Sequence, residues 1–278
     1  MPNKIPCSVL VLTRNSAASL ERCLAPLSRF AEIVVHDANS EDDSREIALR
    51  HGAKVYKQYD TDEKSVRVKN FTEMRLKQRA AASYDWVLYI DSDEEMTVEL
   101  VEEVGVLLST VKPKTIIQFP RLPIIDRRLR THGIFFPEIV PRIHHRGSGA
   151  TLQEGKVVHE KYVYDDTFTV ITTKSHLRVP TDSVQDLRAK DDRYLLLEVE
   201  RIREHGFRWS RYVRWILFRE PVIILSLIAR IVRNIPRYRD PSSVPFGHEW
   251  RYVRYHWRLF RAITGALFLR PLTAGKIR

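Results

Sequence analysis

Cysteine is scarce. Of 278 residues only Cys7 and Cys23 are cysteines, and their spacing is not that of a CxxC pair. A disulfide framework and a zinc site are therefore not indicated; a reducing cytoplasm fits, with both thiols packing as small apolar residues. Glycine is sparse too, at 10 residues. No Gly-x-Gly-x-x-Gly follows the first strand-like run and no Walker lysine motif occurs, which argues against a dinucleotide dehydrogenase and a P-loop enzyme. Long apolar runs are also missing. The longest, residues 222–229, is far short of the roughly 20 needed to span a bilayer. The run at 9–12 is too short for a secretory leader. Internal repeats and low-complexity segments are absent as well.

What remains is a chain long enough to bury a real core, with the apolar content of a folded protein. Its charge is uneven. Residues 201–278 hold 17 Lys+Arg against 4 Asp+Glu, net +13, out of 46 and 35 in the whole chain, so the first 200 hold 29 against 31, net −2. All the excess positive charge lies in the last quarter, which points to an anionic surface as its partner.

The first 120 residues alternate strand and helix patterns. Strands are expected at 8–12, 32–36, 54–56, 86–90 and 115–119, and helices follow the first two. Leu20, Cys23, Leu24 and Leu27 hold helical spacing, Gly52 closes a helix begun at Asp43, and Asn70 caps another running to Ala82. Such alternation predicts a mostly parallel, doubly wound sheet. Residues 58–68 form a charged loop without period, and 121–163 read as irregular loops and short strands over the open sheet edge. A helix returns at 182–205, its inner face expected to be Leu187, Tyr194, Leu195, Val199 and Ile202.

The chemistry centres on Trp86-Val87-Leu88-Tyr89-Ile90 followed by Asp91-Ser92-Asp93-Glu94-Glu95. A buried strand delivers four carboxylates to its carboxyl end, where open α/β sheets bind ligands. Four such charges repel unless a positive group sits among them, and a hard divalent cation is the simplest one. The alternative is acids that merely stabilise the N-terminal end of the helix after Thr97.

These residues, taken in order with others, resemble glycosyltransferase family 2, enzymes of the GT-A fold. The resemblance is carried by Ser8-Val-Leu-Val-Leu-Thr-Arg-Asn, Ile33-Val-Val-His-Asp-Ala-Asn-Ser-Glu-Asp, Lys69-Asn70-Phe71, Asp85-Trp86 and Asp91-Ser92-Asp93-Glu94. Further on come Phe136-Pro137-Glu138, Arg142, Val158-His159-Glu160, and His176 followed by Lys190, Arg193 and Tyr194. Within the family the chain looks most like the branch of the lipopolysaccharide-core β-1,4-glucosyltransferases. The resemblance implies a catalytic domain over residues 1–200, with a nucleotide-binding half at 1–120 and an acceptor-side half at 121–180, and an extension at 201–278. It implies an inverting transfer from a nucleotide-diphosphate sugar, UDP in first place, to a cell-envelope glycan or lipid-linked acceptor, assisted by Mg²⁺ or Mn²⁺.

Residue by residue, the resemblance sets Thr13 and Asn15 at the nucleotide. Asp37 matches the acid that meets the uracil ring, and Asp42 shares its loop. Lys69 and Asn70 match the pair near base and diphosphate. Asp91 and Asp93 match the metal motif, with the second touching the cation and His159 as a third metal or phosphate contact. Arg142 would steady the diphosphate. An inverting transfer needs a carboxylate to deprotonate the acceptor hydroxyl; Glu138 is the first choice, Glu160 the second and Asp126 the third. A structural alternative pairs Glu138 with Arg142 four residues on. His176 is a weaker candidate.

In the tail, Arg251, Arg254, Arg258 and Arg261 recur at helical spacing beside Trp250, Val253, Trp257 and Phe260, and the earlier stretch 207–239 repeats the theme with a kink expected at Pro221. An Arg stripe beside a Trp/Phe stripe suits a helix lying at a headgroup boundary, on the inner face of the cell membrane. The alternative is aromatic faces packed on the protein with solvated arginines. Nucleic acid is disfavoured for want of a recognition motif. Two other functions stay open on residues alone, a sugar nucleotidyltransferase and a non-catalytic membrane or nucleic-acid binder.

Overall fold

The computed structural model describes residues 4–68, 70–152, 162–205 and 213–268; Lys69, His159 and Glu160 lie outside the described residues. The chain forms two compact units, Met1–Leu122 with Pro137–Pro180, and Pro123–Phe136 with Thr181–Arg278. The fold thus divides the chain differently from a cut at 200, because the 182–205 helix groups with the C-terminal residues.

In the first unit, β1 (Ile5–Thr13), β2 (Phe30–Asp37), β3 (Lys54–Lys57) and β4 (Trp86–Asp91) lie parallel in the order β3-β2-β1-β4. Successive residues of β1 feed opposite faces, as the pleat requires. Val9 and Val11 join Leu20, Cys23, Leu24 and Leu27 in one core cluster, while Leu10 joins Val34, Val87 and Tyr89 in another. Both cysteines are buried as expected. Helices α1 (Ala17–Leu24), α2 (Ser44–Arg50), α3 (Phe71–Ala81) and α4 (Val98–Leu108) flank these strands in sequence. Their ends follow local chemistry: Asn70 accepts from Glu73 N at 3.3 Å and Thr97 from Leu100 N at 3.2 Å, and Gly52 takes φ +72° after α2.

The other half of the sheet is antiparallel where it joins. After β5 (Glu95–Met96) come β6 (Thr115–Ile125), β7 (Arg128–Leu129) and β8 (Glu138–His145). β8 inserts between β4 and β6, antiparallel to both, with Val87 opposite His144 and Arg121 opposite Glu138. An eight-residue strand inside the sheet therefore stands where loops and short strands over its edge were expected. Its pattern was hidden because Pro141, Arg142, His144 and His145 interrupt the apolar alternation, yet His144 is buried and stacks on Tyr89 at 5.7 Å. The short β9 (Thr151–Leu152) and β10 (Tyr162–Val163) pair apart from this sheet, while β11 (Thr169–Thr172) runs parallel to β6 and β12 (Leu177–Pro180) pairs with β5. A mixed sheet with flanking helices and a C-terminal helical region is the α/β architecture expected of a GT-A fold.

The second unit contains α5 (Val184–His205), α6 (Glu220–Asn234) and α7 (Phe246–Phe268). Leu227, Ile231 and Val253 pack with Ile134 in its core. Pro221 lies inside continuous helical backbone, since residues 213–214 are helical and a π-helical turn at Trp215–Arg219 runs directly into α6; the wider turn just before the proline is one way a helix accommodates its missing N–H. Arg211 lies outside the described residues. The inner face expected for α5 needs correction. Tyr194 is 58% exposed, and buried Asp191 instead accepts from Arg251 Nη1 at 2.5 Å.

Candidate active site

The first unit brings two polar clusters to one edge of the sheet, on either side of β1. Leu12 opposes Asp91 and Thr13 opposes Asp37, so both acids sit at the carboxyl end of the parallel strands. Ser16 Oγ and Ser92 Oγ, 2.9 Å apart, link the turns that follow.

The first cluster is built on the turn after β4. Glu94 N donates to Asp91 O at 2.9 Å and Asp91 N donates to Glu94 Oε2 at 3.1 Å, which folds the Glu94 side chain back beneath the turn. Three arginines meet these acids. Arg75 of α3 donates to Asp91 Oδ1 at 2.5 Å, and Arg142 of β8 reaches Asp91 Oδ2 at 3.2 Å and also Glu94 Oε1. Arg121 of β6 lies 3.0 Å from Glu94 Oε1 through Nε and 3.3 Å from Glu138 Oε1 through Nη1. The result is an alternating chain, Glu138, Arg121, Glu94, Arg142, Asp91, Arg75, in which three carboxylates and three guanidiniums balance.

The electrostatics follow from that order. Burial works to raise the Asp91 carboxyl, but Arg142, Arg75 and Arg121 outweigh it and hold it well below the usual carboxylate range. Glu94, with no exposed side-chain surface, is pushed up by desolvation, with Arg142 pulling against it. Burial opposes the charge on Arg142, yet Glu94 and Asp91 leave it more firmly protonated than usual.

Asp93 stands differently from Asp91: it is exposed on the turn. Both Asp91 oxygens already face guanidinium groups, so a cation between Asp91 and Asp93, as the resemblance implies, would share the Asp91 carboxylate with Arg75 and Arg142. Among the described residues no three His, Cys, Asp or Glu side chains converge as a ready ligand set. The donor set fits a cation held by one carboxylate, substrate phosphates and water, which is how Mg²⁺ is commonly held.

The second cluster surrounds Asp37. This carboxylate is buried and accepts from Ser40 N at 3.0 Å and Ser40 Oγ at 2.5 Å. Thr13 is buried beside it in register, with its Oγ1 lacking a hydrogen-bond partner among the described residues. Gln58 Nε2 donates to Thr13 O and His36 O, both at 3.1 Å. Asn15, at φ 49°, accepts from Glu41 N and donates to Ser65 Oγ, each at 2.9 Å. Asn39 donates to Thr61 O at 2.7 Å and Glu63 O at 2.8 Å. The 58–68 loop is thereby stitched to the loop after β2.

The remaining candidates stand as follows. Asp42 accepts from Ala17 N at 2.9 Å and from Ser44 Oγ at 2.5 Å, which ties the start of α1 to that of α2. Asn70 caps α3. Glu138, 58% exposed at its side chain, pairs with Arg121 across the strands and not with Arg142. Asp126 belongs to the second unit, at φ 52° in the β6–β7 turn, 3.8 Å from Arg130. Half-buried His176 has its pKa lowered by desolvation and then by Arg178. A groove of about 540 Å³ between α5 and α7, lined by Leu195, Val199, Ala262 and the Asp192–Arg258 pair, holds none of the candidates. Sequence reasoning missed Arg75 and Arg121. Arg75 had a signal, since it follows Met74 on the inward side of an amphipathic helix; Arg121 had none.

Known proteins similar to the chain are of the following kinds. Residues 8–143 match the sequence model of the family described as "Glycosyl transferase family 2". An uncharacterized glycosyltransferase of Rickettsia bellii is 31% identical over 136 residues, 47% of this chain and 42% of the relative. A TPR repeat-containing protein of Synechococcus elongatus is 34% identical over 93 residues, 33% of this chain and 21% of the relative. The matched stretch spans less than half the length of these curated relatives. Among solved structures, S. aureus TarS 1-349 in complex with UDP is similar at 14% identity over 98% of this chain and 94% of that one, with a TM-score of 0.46. Glucosyl-3-phosphoglycerate synthase from Mycobacterium tuberculosis, in complex with Mn²⁺, UDP and glucosyl-3-phosphoglycerate, is 25% identical over 42% of this chain and 43% of that one, with a TM-score of 0.33. With TM-scores under 0.5, both stand as resemblances only. The family match and the glycosyltransferase relatives together support family 2 for the stretch that holds the two clusters.

Proposed function

We propose that the chain is an inverting family 2 glycosyltransferase that moves a sugar from a UDP-sugar to a cell-envelope glycan or lipid-linked acceptor, in the manner of the lipopolysaccharide-core β-1,4-glucosyltransferase-like branch. The observation that carries the reading is the pair of clusters on either side of the β1 edge, one suited to a base and the other to a diphosphate with its counter-ion.

In this reading Asp37 accepts the ring N–H of the uracil, and the Thr13 hydroxyl gains a partner from the nucleotide. The six-membered charge chain balances itself, so a diphosphate arriving at the turn brings negative charge that a cation would offset. Asp93, with the diphosphate oxygens, would hold Mg²⁺ or Mn²⁺, which when bound neutralises the charge developing on the leaving group. Asp91 serves as a strut that fixes Arg142 and Arg75. Glu138 takes the proton of the acceptor hydroxyl, tethered by Arg121. Glu160 is the second choice for that proton, Lys69 stays assigned near the base and diphosphate, and His159 stays a third metal or phosphate contact.

The test is hydrolysis of UDP-, GDP- and dTDP-sugars with and without EDTA, on the wild type and on Asp93→Asn. UDP-sugar turnover should fall at least about 100-fold with either change, the scale of lost transition-state charge stabilisation. Full turnover by Asp93→Asn would refute the assignment.

A further inference from the structure

Helix α6 carries an apolar ridge that stands exposed among the described residues. Val222, Leu225, Ala229 and Val232 follow one another at steps of three, four and three residues, which aligns them along one face. Val222, Leu225 and Val232 are 63%, 65% and 56% exposed, and Phe218, at 64%, extends the ridge back by a turn. The opposite face is the one that packs, with Leu227 and Ile231 buried against Ile134 and Val253. A helix needs one apolar face to join a globular core. This one has two.

The charge around the ridge is of one sign. Between residues 213 and 239 stand Arg214, Arg219, Arg230, Arg233, Arg237 and Arg239 against a single acid, Glu220. Glu220 is buried and lies 2.8 Å from His256 Nδ1, so it offers nothing to the surface. Arg219 and Arg233 are exposed on the same flank of the ridge, about 21 Å apart at 1.5 Å per residue. Helix α7, where the sequence pattern placed the basic face, is differently occupied. Its Arg251 and Arg258 pair with Asp191 and Asp192 of α5, and its Val253 is in the core. No helix among the described residues is long and apolar enough to cross a membrane.

We propose that α6 is a membrane-docking helix, which lies along an anionic bilayer with the Phe218–Val222–Leu225–Val232 ridge set between lipid chains and its arginines on the phosphates. Aliphatic side chains on a convex ridge suit a fluid apolar layer, and the arginine flank suits a negative surface. A second copy docked ridge to ridge would bring two arginine flanks together with no exposed acid on this helix to offset them. The proposal deepens the lipid-linked part of the reading above, and its test needs no nucleotide sugar, so the two can fail separately.

The test is co-sedimentation of the full chain with vesicles of phosphatidylcholine alone and of phosphatidylcholine mixed with phosphatidylglycerol. Wild type should bind the mixed vesicles and not the neutral ones, with affinity falling as salt rises. Val222→Glu/Leu225→Glu should weaken binding at least about tenfold, since two apolar insertions are lost. Arg233→Gln should cost about fivefold. Trp257→Glu, at a position 53% exposed on α7, should stay within about twofold of wild type. Val222→Ser/Leu225→Ser, with circular dichroism, guards against misfolding and should also weaken binding. The proposal is overturned if mixed vesicles are not bound, or if Trp257→Glu abolishes binding while the α6 variants keep it. It is equally overturned if the α6 substitutions only dissociate a dimer in sedimentation equilibrium.

Discussion

Replacing Arg142 by Met tests the charge chain most directly. The guanidinium touches both Asp91 and Glu94, so its loss leaves Glu94, which has no exposed side-chain surface, with Arg121 alone, and Asp91 with Arg75 alone. Breaking a buried ion pair by removing one partner costs about 3–5 kcal/mol. Here each acid keeps one arginine and Asp91 is 42% exposed at its side chain, so about 2–3 kcal/mol is the reasoned figure. Amide hydrogen exchange in β4 and β8 reads this in the unit that holds the cluster, and should speed up about 30- to 150-fold at pH 7.5. The sign with pH is also fixed. A carboxyl whose folded pKa is raised binds more protons folded than unfolded, so stability falls as pH rises above the unfolded value of about 4.5. Losing Arg142 raises Glu94 further, and the deficit should therefore shrink towards pH 5. Glu94→Gln added to Arg142→Met should recover part of the loss at pH 7.5. A deficit under about 0.5 kcal/mol, or one that grows on acidification, would refute the reasoning.

Three further outcomes are expected. Asp91→Asn should lower thermal stability by about 1–3 kcal/mol, while Asp93→Asn, on the exposed turn, should change it by less than about 0.5 kcal/mol, measured by parallel melts. Burial works to raise the Glu32 carboxyl, but Lys54, Ser8 and Ser83 hold it at about 2. Its folded pKa is depressed, so its contribution is present above about pH 4.5 and lost as pH falls towards 2; Glu32→Gln should cost about 2 kcal/mol at neutral pH and flatten that acid limb in urea titrations. His36 and His144 are lowered to about 4 and about 3, chiefly by desolvation. Each binds a proton more readily unfolded, so stability should already decline as pH falls through 6.5, by about 1 kcal/mol per histidine at pH 5.5. His144→Phe should remove its share.

The parallel half of the sheet was legible because β1, β2 and β4 are near-continuous apolar runs and α2, α3 and α4 start or stop on a recognisable residue, Gly52, Asn70 and Thr97. β8 was not, since what buries His144 and Arg142 is the pairing of distant strands, which no local period records. The same holds for the candidate site. Asp37 and Asp91 were visible at strand ends, but the partners of Asp91 come from residues 75 and 142, and nothing in the local spacing says that its oxygens are already occupied. On α5 the expected Tyr194 lost its inward place to Asp191 because Arg251 waits there, sixty residues along the chain.

Asn15 has a consequence for how a nucleotide would be received. One side chain in a left-handed turn clasps the tip of β1 to Glu41 on one side and Ser65 on the other, and Asn39 repeats the clasp with Thr61 and Glu63. Three segments that differ in sequence position are held as a single wall by the chain's own side chains. A guest would meet a standing socket and spend little of its binding energy on arranging loops, so on-rates close to simple encounter and small structural change on complex formation should characterise this end of the molecule.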